Sequence, residues 1–331
     1  MLRPRNLIVL STLLLAGAAW CVLRREPSPP VATRPVPKSS RVVMVLAHAP
    51  AAAPVLVTGK PRKTVNRPGD IKSALFTPAI SFALRLQFVH GLGENLSPEQ
   101  VNALLDYLRQ PAEHDGLAAS ERHALKNDVI LALRKQRTAP AGLTQVLISI
   151  YKNKDEDPVT RDYAIQHLSG WRNSRPGDLP KIDPVIWEAA GESGQTLAGT
   201  ALLALARIAD DTEAAGHVQY AAGPQFEKIQ ALARSMVANQ QSPLPNRLTA
   251  MGVISQFGGR SAVLAALDRL NDAEPAMLQF VALATIKSNL DANDPATLSQ
   301  CVAAVDSRLT SRDPGVNGAA RELAELLKTP K

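Results

Sequence analysis

Asp157-Pro158-Val159-Thr160-Arg161-Asp162-Tyr163-Ala164-Ile165-Gln166-His167-Leu168 reads as one helix of a helical-hairpin repeat. Asp157 is placed as its N-cap, where a carboxylate accepts a backbone N–H and favours the positive end of the helix dipole. Pro158 costs little in the first turn, because its missing N–H has no intrahelical partner there. Ala164 and Leu168 lie one turn apart on one face. The same small-then-large step recurs at Ala201/Leu205, Ala250/Ile254 and Ala282/Ile286. A last copy, Asp313-Pro314 to Ala320, repeats the cap and ends in Ala324. The first positions are 37, 49, 32 and 38 residues apart, a drift that loop insertions produce in repeat proteins.

The small residue has a physical role. Ala lets a neighbouring helix approach closely, and the aliphatic residue one turn on fills the groove beside it. Leu197 to Ala209 is interrupted only by Gly199, Thr200 and Arg207, and Ala276 to Ile286 only by Gln279 and Thr285. A helix that is apolar on nearly every side must be covered on several faces, as the inner helix of a stacked repeat is. With Asp157, Pro158, Val159, Arg161, Ala164 and Leu168 in this order, the chain resembles the HEAT-repeat superfamily of α-solenoids. The resemblance covers residues 95–328. Its arginine position is kept as Arg247 in the third copy and lost in the others, where Ala198, Gln279 and Asn317 stand. It implies an all-α fold, a solenoid of antiparallel helical hairpins.

Composition agrees. Aromatics make up 4% of the 331 residues, and an Ala- and Leu-rich core suits close-packed helices better than a β-sandwich. Arg41 to Ala47 is the one β-leaning segment, standing alone among prolines. The net charge of +7 is uneven: residues 1–70 hold eleven of the 37 Lys and Arg against two acids, which leaves 26 basic and 28 acidic residues after them. The folded part is close to neutral, which argues against a nucleic-acid partner. Cys21 and Cys301 are the only cysteines, so the folded part has no internal disulfide.

Leu7 to Leu23 is a 17-residue apolar run between Arg3/Arg5 and Arg24/Arg25. As a helix it spans about 25 Å, slightly short of a ~30 Å hydrocarbon core, and arginines at both ends can snorkel to the interfaces. Residues 1–25 therefore read as a single-pass membrane anchor or, with the small residues Ala16-Gly17-Ala18, a cleaved signal that would leave a secreted or periplasmic protein. The basic flank after the run favours a cytoplasmic solenoid, whereas a short basic start is the ordinary export signal; export is the expectation. Residues 26–70 carry nine prolines and seven basic residues and read as a largely disordered tether, prolines forbidding a continuous helix or central strand. The folded domain is 71–331.

Within it, helices are expected at 79–90, from Ser97-Pro98 onward with Gln100 completing a capping box, and at 118–135, 143–151, 157–168, 184–192, 196–209, 224–239, 246–257, 261–270, 275–289, 295–308 and 315–327, about a dozen with no sheet. No H-E-x-x-H, G-x-S-x-G, Walker A or G-x-G-x-x-G occurs, and no cofactor or metal site is expected. Glu113-His114-Asp115 is a polar loop triplet that reads as solvated. Asp155-Glu156-Asp157 looks like a calcium-loop start but lacks the glycine and distal Glu; helix N-terminal charge explains it. Arg134, Lys135 and Arg137 cluster at a helix C-terminus, either for the dipole or as a phosphate site. Gly170-Trp171-Arg172-Asn173-Ser174-Arg175-Pro176 places an aromatic and two guanidiniums in an expected turn between repeats. Trp and Arg are favoured interface anchors, so Trp171, Arg172 and Arg175, with Arg161, are the expected partner-binding residues; the alternative has Trp171 plugging the core.

These readings add up to a membrane-tethered, non-catalytic scaffold that binds a protein partner through a helical-repeat surface. The alternative is a HEAT-like enzyme or nucleic-acid-processing protein with a concave site.

Overall fold

The computed structural model describes residues 70–110, 116–214, 224–291 and 293–328. The Leu7–Leu23 run, the 26–70 tether except Asp70, and the Glu113-His114-Asp115 triplet lie outside the described residues. Among those described there are 14 α-helices and no strand. In chain order they are α1 (Ile71–Phe76), α2 (Phe82–His90), α3 (Pro98–Arg109), α4 (Ala119–Arg134), α5 (Leu143–Lys152), α6 (Pro158–Arg172), α7 (Leu179–Gly191), α8 (Leu197–Ala214), α9 (Pro224–Ala238), α10 (Leu244–Phe257), α11 (Gly259–Leu267), α12 (Ala276–Asn289), α13 (Pro295–Arg308) and α14 (Pro314–Lys328). None is long and apolar enough to cross a membrane.

Helix starts follow their caps. Asp157 accepts from the Val159 and Thr160 N–H groups, Asp294 from Thr297 and Asp313 from Val316. Ser97 and Gln100 form the expected capping box. Each of these four caps is followed by a proline at the first helical position, where the lost N–H is free of cost. Gly258 (φ 76°) and Gly259 (φ 74°) turn the chain between α10 and α11 in the left-handed region, which a residue with a Cβ enters only with strain.

Packing sorts the helices into seven hairpins, α1–α2 through α13–α14, and two rows. The even-numbered helices pack in unbroken succession, each on the next, from α2 to α14; we call them the inner row. Among the odd-numbered ones α1, α3, α5 and α7 pack in series, as do α11 and α13. The four small–large pairs read from the sequence are buried, Ala164/Leu168, Ala201/Leu205, Ala250/Ile254 and Ala282/Ile286, as are Ala320 and Ala324 of the last copy. Gly199 goes further than Ala, since a Cβ there would meet Asn246 Oδ1 at 2.7 Å and its Cα at 3.2 Å; the missing side chain is what lets α8 and α10 touch.

The expected boundaries fail in three places. A short helix, α1, precedes the first expected one, capped by Asp70. Helix α7 begins at Leu179 and carries Pro184 inside it, where Asp183-Pro184 mimics a helix start. Helix α6 runs to Arg172, so Gly170 and Trp171 are helical and the turn between hairpins begins at Asn173.

Candidate functional site

The fourth residue of each inner-row helix is polar: Arg85, Arg122, Arg161, Thr200, Arg247, Gln279 and Asn317. Three of these side chains donate to carbonyls near the end of the preceding helix, which lack intrahelical donors, and three to carbonyls in the turn between the two helices. Arg85 donates to the Leu75, Thr77 and Ile80 carbonyls at 2.8–3.0 Å. Arg161 Nε donates to Tyr151 O at 2.8 Å, and Arg247 Nε to Val237 O at 2.9 Å, each ten residues back. Arg122 donates to Leu117 O, Gln279 to Glu274 O and Asn317 to Leu309 O. Of these arginines only Arg161 and Arg247 stand at the arginine position of the sequence pattern. Arg85 and Arg122 precede or fall outside the small–large copies used to set the register.

Basic residues on three inner helices also reach forward to an acid in the next hairpin's turn. Lys126 meets Glu156 at 2.7 Å, Arg161 meets Glu192 at 3.2 Å, and Arg247 meets Glu274 at 2.6 Å. The separations are 30, 31 and 27 residues, close to one repeat, and this spacing of opposite charges is a signal legible in the sequence beside the small–large step. Glu156 is thus an ion-pair partner and Asp157 a helix cap, in line with the helix-terminal reading of that acidic triplet.

The four expected partner-binding residues are divided by this arrangement. Arg161 is buried in its latch. Trp171 is 2% exposed, its indole N–H donating to Thr144 Oγ1 at 3.0 Å while that hydroxyl donates to Asp178 at 2.8 Å. Arg172 forks onto Asp183 at 2.7 and 3.1 Å. Arg175, the most exposed of the four, pairs loosely with Asp178 at 3.4 Å. Thr144 first, and Arg175 after it, hold the Asp178 carboxyl below its usual range.

Successive inner helices are joined by polar contacts along their length: His90–Asp128, Asn127–His167, Asp162–Thr200, Asp210–Gln256, Ser255–Asn289 and Lys287–Glu322. Two shallow grooves flank the ladder's C-terminal half, one between α9 and α11 (Arg234, Val237, Leu264, Arg269) and one between α12 and α14 (Phe280, Ala284, Gly318, Ala319). Among the described residues no group of three or more His, Cys, Asp or Glu is arranged to hold a metal. Burial, with Asp294 nearby, pushes the Cys301 thiol up to about 11, which keeps it protonated at neutral pH.

Two acids, Glu192 in the turn before α8 and Asp162 on α6, have opposite pH behaviour. Burial works against ionisation of Glu192, but hydrogen bonds from Lys154, Tyr151 and Arg161 outweigh it and hold its carboxyl below the ordinary 4.5. Its stabilising contribution is complete above that ordinary value and is lost as pH falls through the lowered one. Asp162 is the reverse: burial pushes its carboxyl above 3.8 despite hydrogen bonds from Thr200 and Gln166, and its Oδ1 has no hydrogen-bond partner. Its ionised form is disfavoured in the fold, so its contribution is unfavourable at neutral pH and fades on acidification. Thermal melts across pH should show Asp162→Asn at or above wild type at neutral pH, with the gap closing toward acid. Glu192→Gln should melt below wild type at neutral pH, with that gap also closing toward acid. Parallel curves for either variant would contradict the assignment.

No protein-family model matches this sequence, and no curated protein matches it. Among solved structures the chain is similar to human deoxyhypusine hydroxylase in complex with glycerol, at 16% identity and a TM-score of 0.33, over 78% of this chain and 94% of that one. That neighbour is an enzyme. The expectation of a protein without catalytic activity is corrected accordingly: a helical chain of this kind is no ground for excluding catalysis. At this TM-score the likeness assigns no reaction and no residue to the present chain.

Proposed function

We propose that residues 70–328 form a HEAT-like α-solenoid whose inner row is a binding face for a protein partner, and that Leu7–Leu23 and the 26–70 tether hold it at a membrane, on the exported side. The observation that carries the binding face is the unbroken packing of α2, α4, α6, α8, α10, α12 and α14. Stacked hairpins of this kind present one continuous surface, built from residues that the repeats do not need for their own packing. On α6 that stripe is Val159, Tyr163, Gln166 and Gly170, and on α8 it is Leu203 and Arg207, all at least partly exposed. Val159, 46% exposed, stands at the head of the α6 stripe, where an apolar contact is available to a partner. The tether rests on the apolar run between paired arginines and on the nine prolines that follow it.

Site-specific photo-crosslinking tests the face. A crosslinker at Gln166 or Arg207 on the inner row should capture one and the same protein, while the exposed positions Asn102 on α3 and Val302 on α13 should not. Capture of equal strength from both rows, or from neither, would overturn the assignment. A topology reporter fused after residue 70 tests the tether, and its release into the soluble fraction without cleavage counts against an anchor.

A further inference from the structure

Arg134, the last residue of α4, stands apart from the other arginines of the inner row. It is half-buried, and burial lowers its guanidinium from the ordinary arginine range. Its hydrogen bond goes to His167 Nδ1 at 2.9 Å. Arg donates and never accepts, so Nδ1 is the acceptor, and Nε2–H donates to Asn127 Oδ1 at 2.8 Å. The imidazole is therefore neutral and supplies no counter-charge. The acids that α4 and α6 carry are engaged elsewhere: Glu121 with the Ala118 N–H, Asp128 with His90, and Asp162 with Thr200 and Gln166. Among the described residues no carboxylate pairs with Arg134. Arg134 faces only the partial charge at the C-terminal end of the α4 dipole, and an anionic ligand would complete what that partial charge leaves open.

The position is also shaped. Gly170, exposed on α6, lies against the guanidinium: a Cβ there would meet Arg134 Nη2 at 2.7 Å and Cζ at 3.3 Å. Glycine weakens a helix relative to Ala, and here the bare backbone leaves room for the planar fork at the helix surface. His167 is fixed on its other side by Asn127, so the fork is held by a rigid pair.

The geometry points to Arg134, seated between His167 and Gly170, as a carboxylate-binding site on the inner face, taking an acidic side chain or C-terminus of a protein partner. Charge decides between oxyanions. One guanidinium balances one carboxylate in a forked, bidentate pair, whereas a phosphate dianion calls for a second cation. Lys135 and Arg137 follow in sequence, but Lys135 is exposed and Arg137 is 73% exposed and turned toward Glu94. For the claim that the carboxylate belongs to a protein, this site rests on the proposed binding face; the seat itself does not.

Phenylglyoxal modification of the full chain in mild detergent, mapped by mass spectrometry, reads Arg134 directly. Succinate should slow modification at Arg134 several-fold relative to chloride at matched ionic strength, phosphate should slow it less, and Arg137 should be unaffected by either. Gly170→Ala should abolish the protection while hydrogen exchange in α4 and α6 stays close to wild type. Equal or greater protection by phosphate would overturn the carboxylate assignment. Absence of protection, or protection unchanged in Gly170→Ala, would overturn the seat. Because these probes involve no partner, their failure removes the seat and leaves the binding face standing, whereas crosslinks absent from the inner row would remove the face and leave the seat.

Discussion

Glu274→Ala is expected to destabilise the C-terminal hairpins by about 3–5 kcal/mol, the scale for breaking a buried ion pair by removing one partner. Glu274 is 1% exposed and receives Arg247 at 2.6 Å on one oxygen and Arg269 at 2.9 Å on the other. Arg247 is itself 5% exposed. Removing the carboxylate leaves two guanidiniums facing each other across a cavity with no anion between them, and the Arg269 Nε already lacks a partner. Arg247→Met with Glu274→Met should recover much of the loss, because an apolar pair of similar volume removes the uncompensated charge together with the attraction. Trp171 and Trp187 lie in other hairpins, so tryptophan fluorescence is the wrong reporter. Hydrogen exchange across α10, α11 and α12 is the right one, since repeat arrays open locally. Protection unchanged in those helices would show that Glu274 is not a latch.

The same latch marks the limit of what the sequence conveys. Local signals were legible because each acts within one turn. The Asp-Pro and Ser-Pro starts at 157, 313 and 97 became caps with the expected donors, and the Ala–Leu and Ala–Ile steps became buried contacts. The arginine position was legible only where the copy was well kept. Arg122 and Lys126 share helix α4, the one donating to a carbonyl and the other making the forward ion pair, two tasks that Arg161 and Arg247 each perform alone. A pattern search for one arginine per repeat passes over that division of labour. Gly170 misled for a different reason. Glycine near a helix end usually marks its stop, but here it serves the approach of Arg134, a contact 36 residues away in sequence that no local pattern encodes. Pro184 misled likewise, because Asp183, which resembles its cap, is held by the Arg172 fork instead.

Trp171→Ala is expected to cost about 3–5 kcal/mol, the range for deleting a buried aromatic, and to loosen α5, α6 and the start of α7 together. The indole lies in the last turn of α6 and closes the contact with α5 through Thr144. Truncation removes both that hydrogen bond and the largest apolar group on this face of the helix. Trp171→Phe separates the two: most of the apolar area remains, and the lost N–H bond should cost only about 1 kcal/mol. Thr144 keeps its bond to Asp178, and with it the first turn of α5 stays tied to the short helical turn at Pro176–Asp178. A core role and a partner-anchoring role for Trp171 predict different results. The first lowers the urea midpoint followed by circular dichroism, in order of lost volume, Ala well below Phe. The second leaves both variants at the wild-type midpoint while crosslinking at Gln166 is lost. The burial of Trp171 selects the first outcome. Under it, a partner contact with the 170–176 segment excludes the indole, and substitution of Arg175, more exposed than Arg172, should leave the midpoint unmoved where Trp171→Ala shifts it.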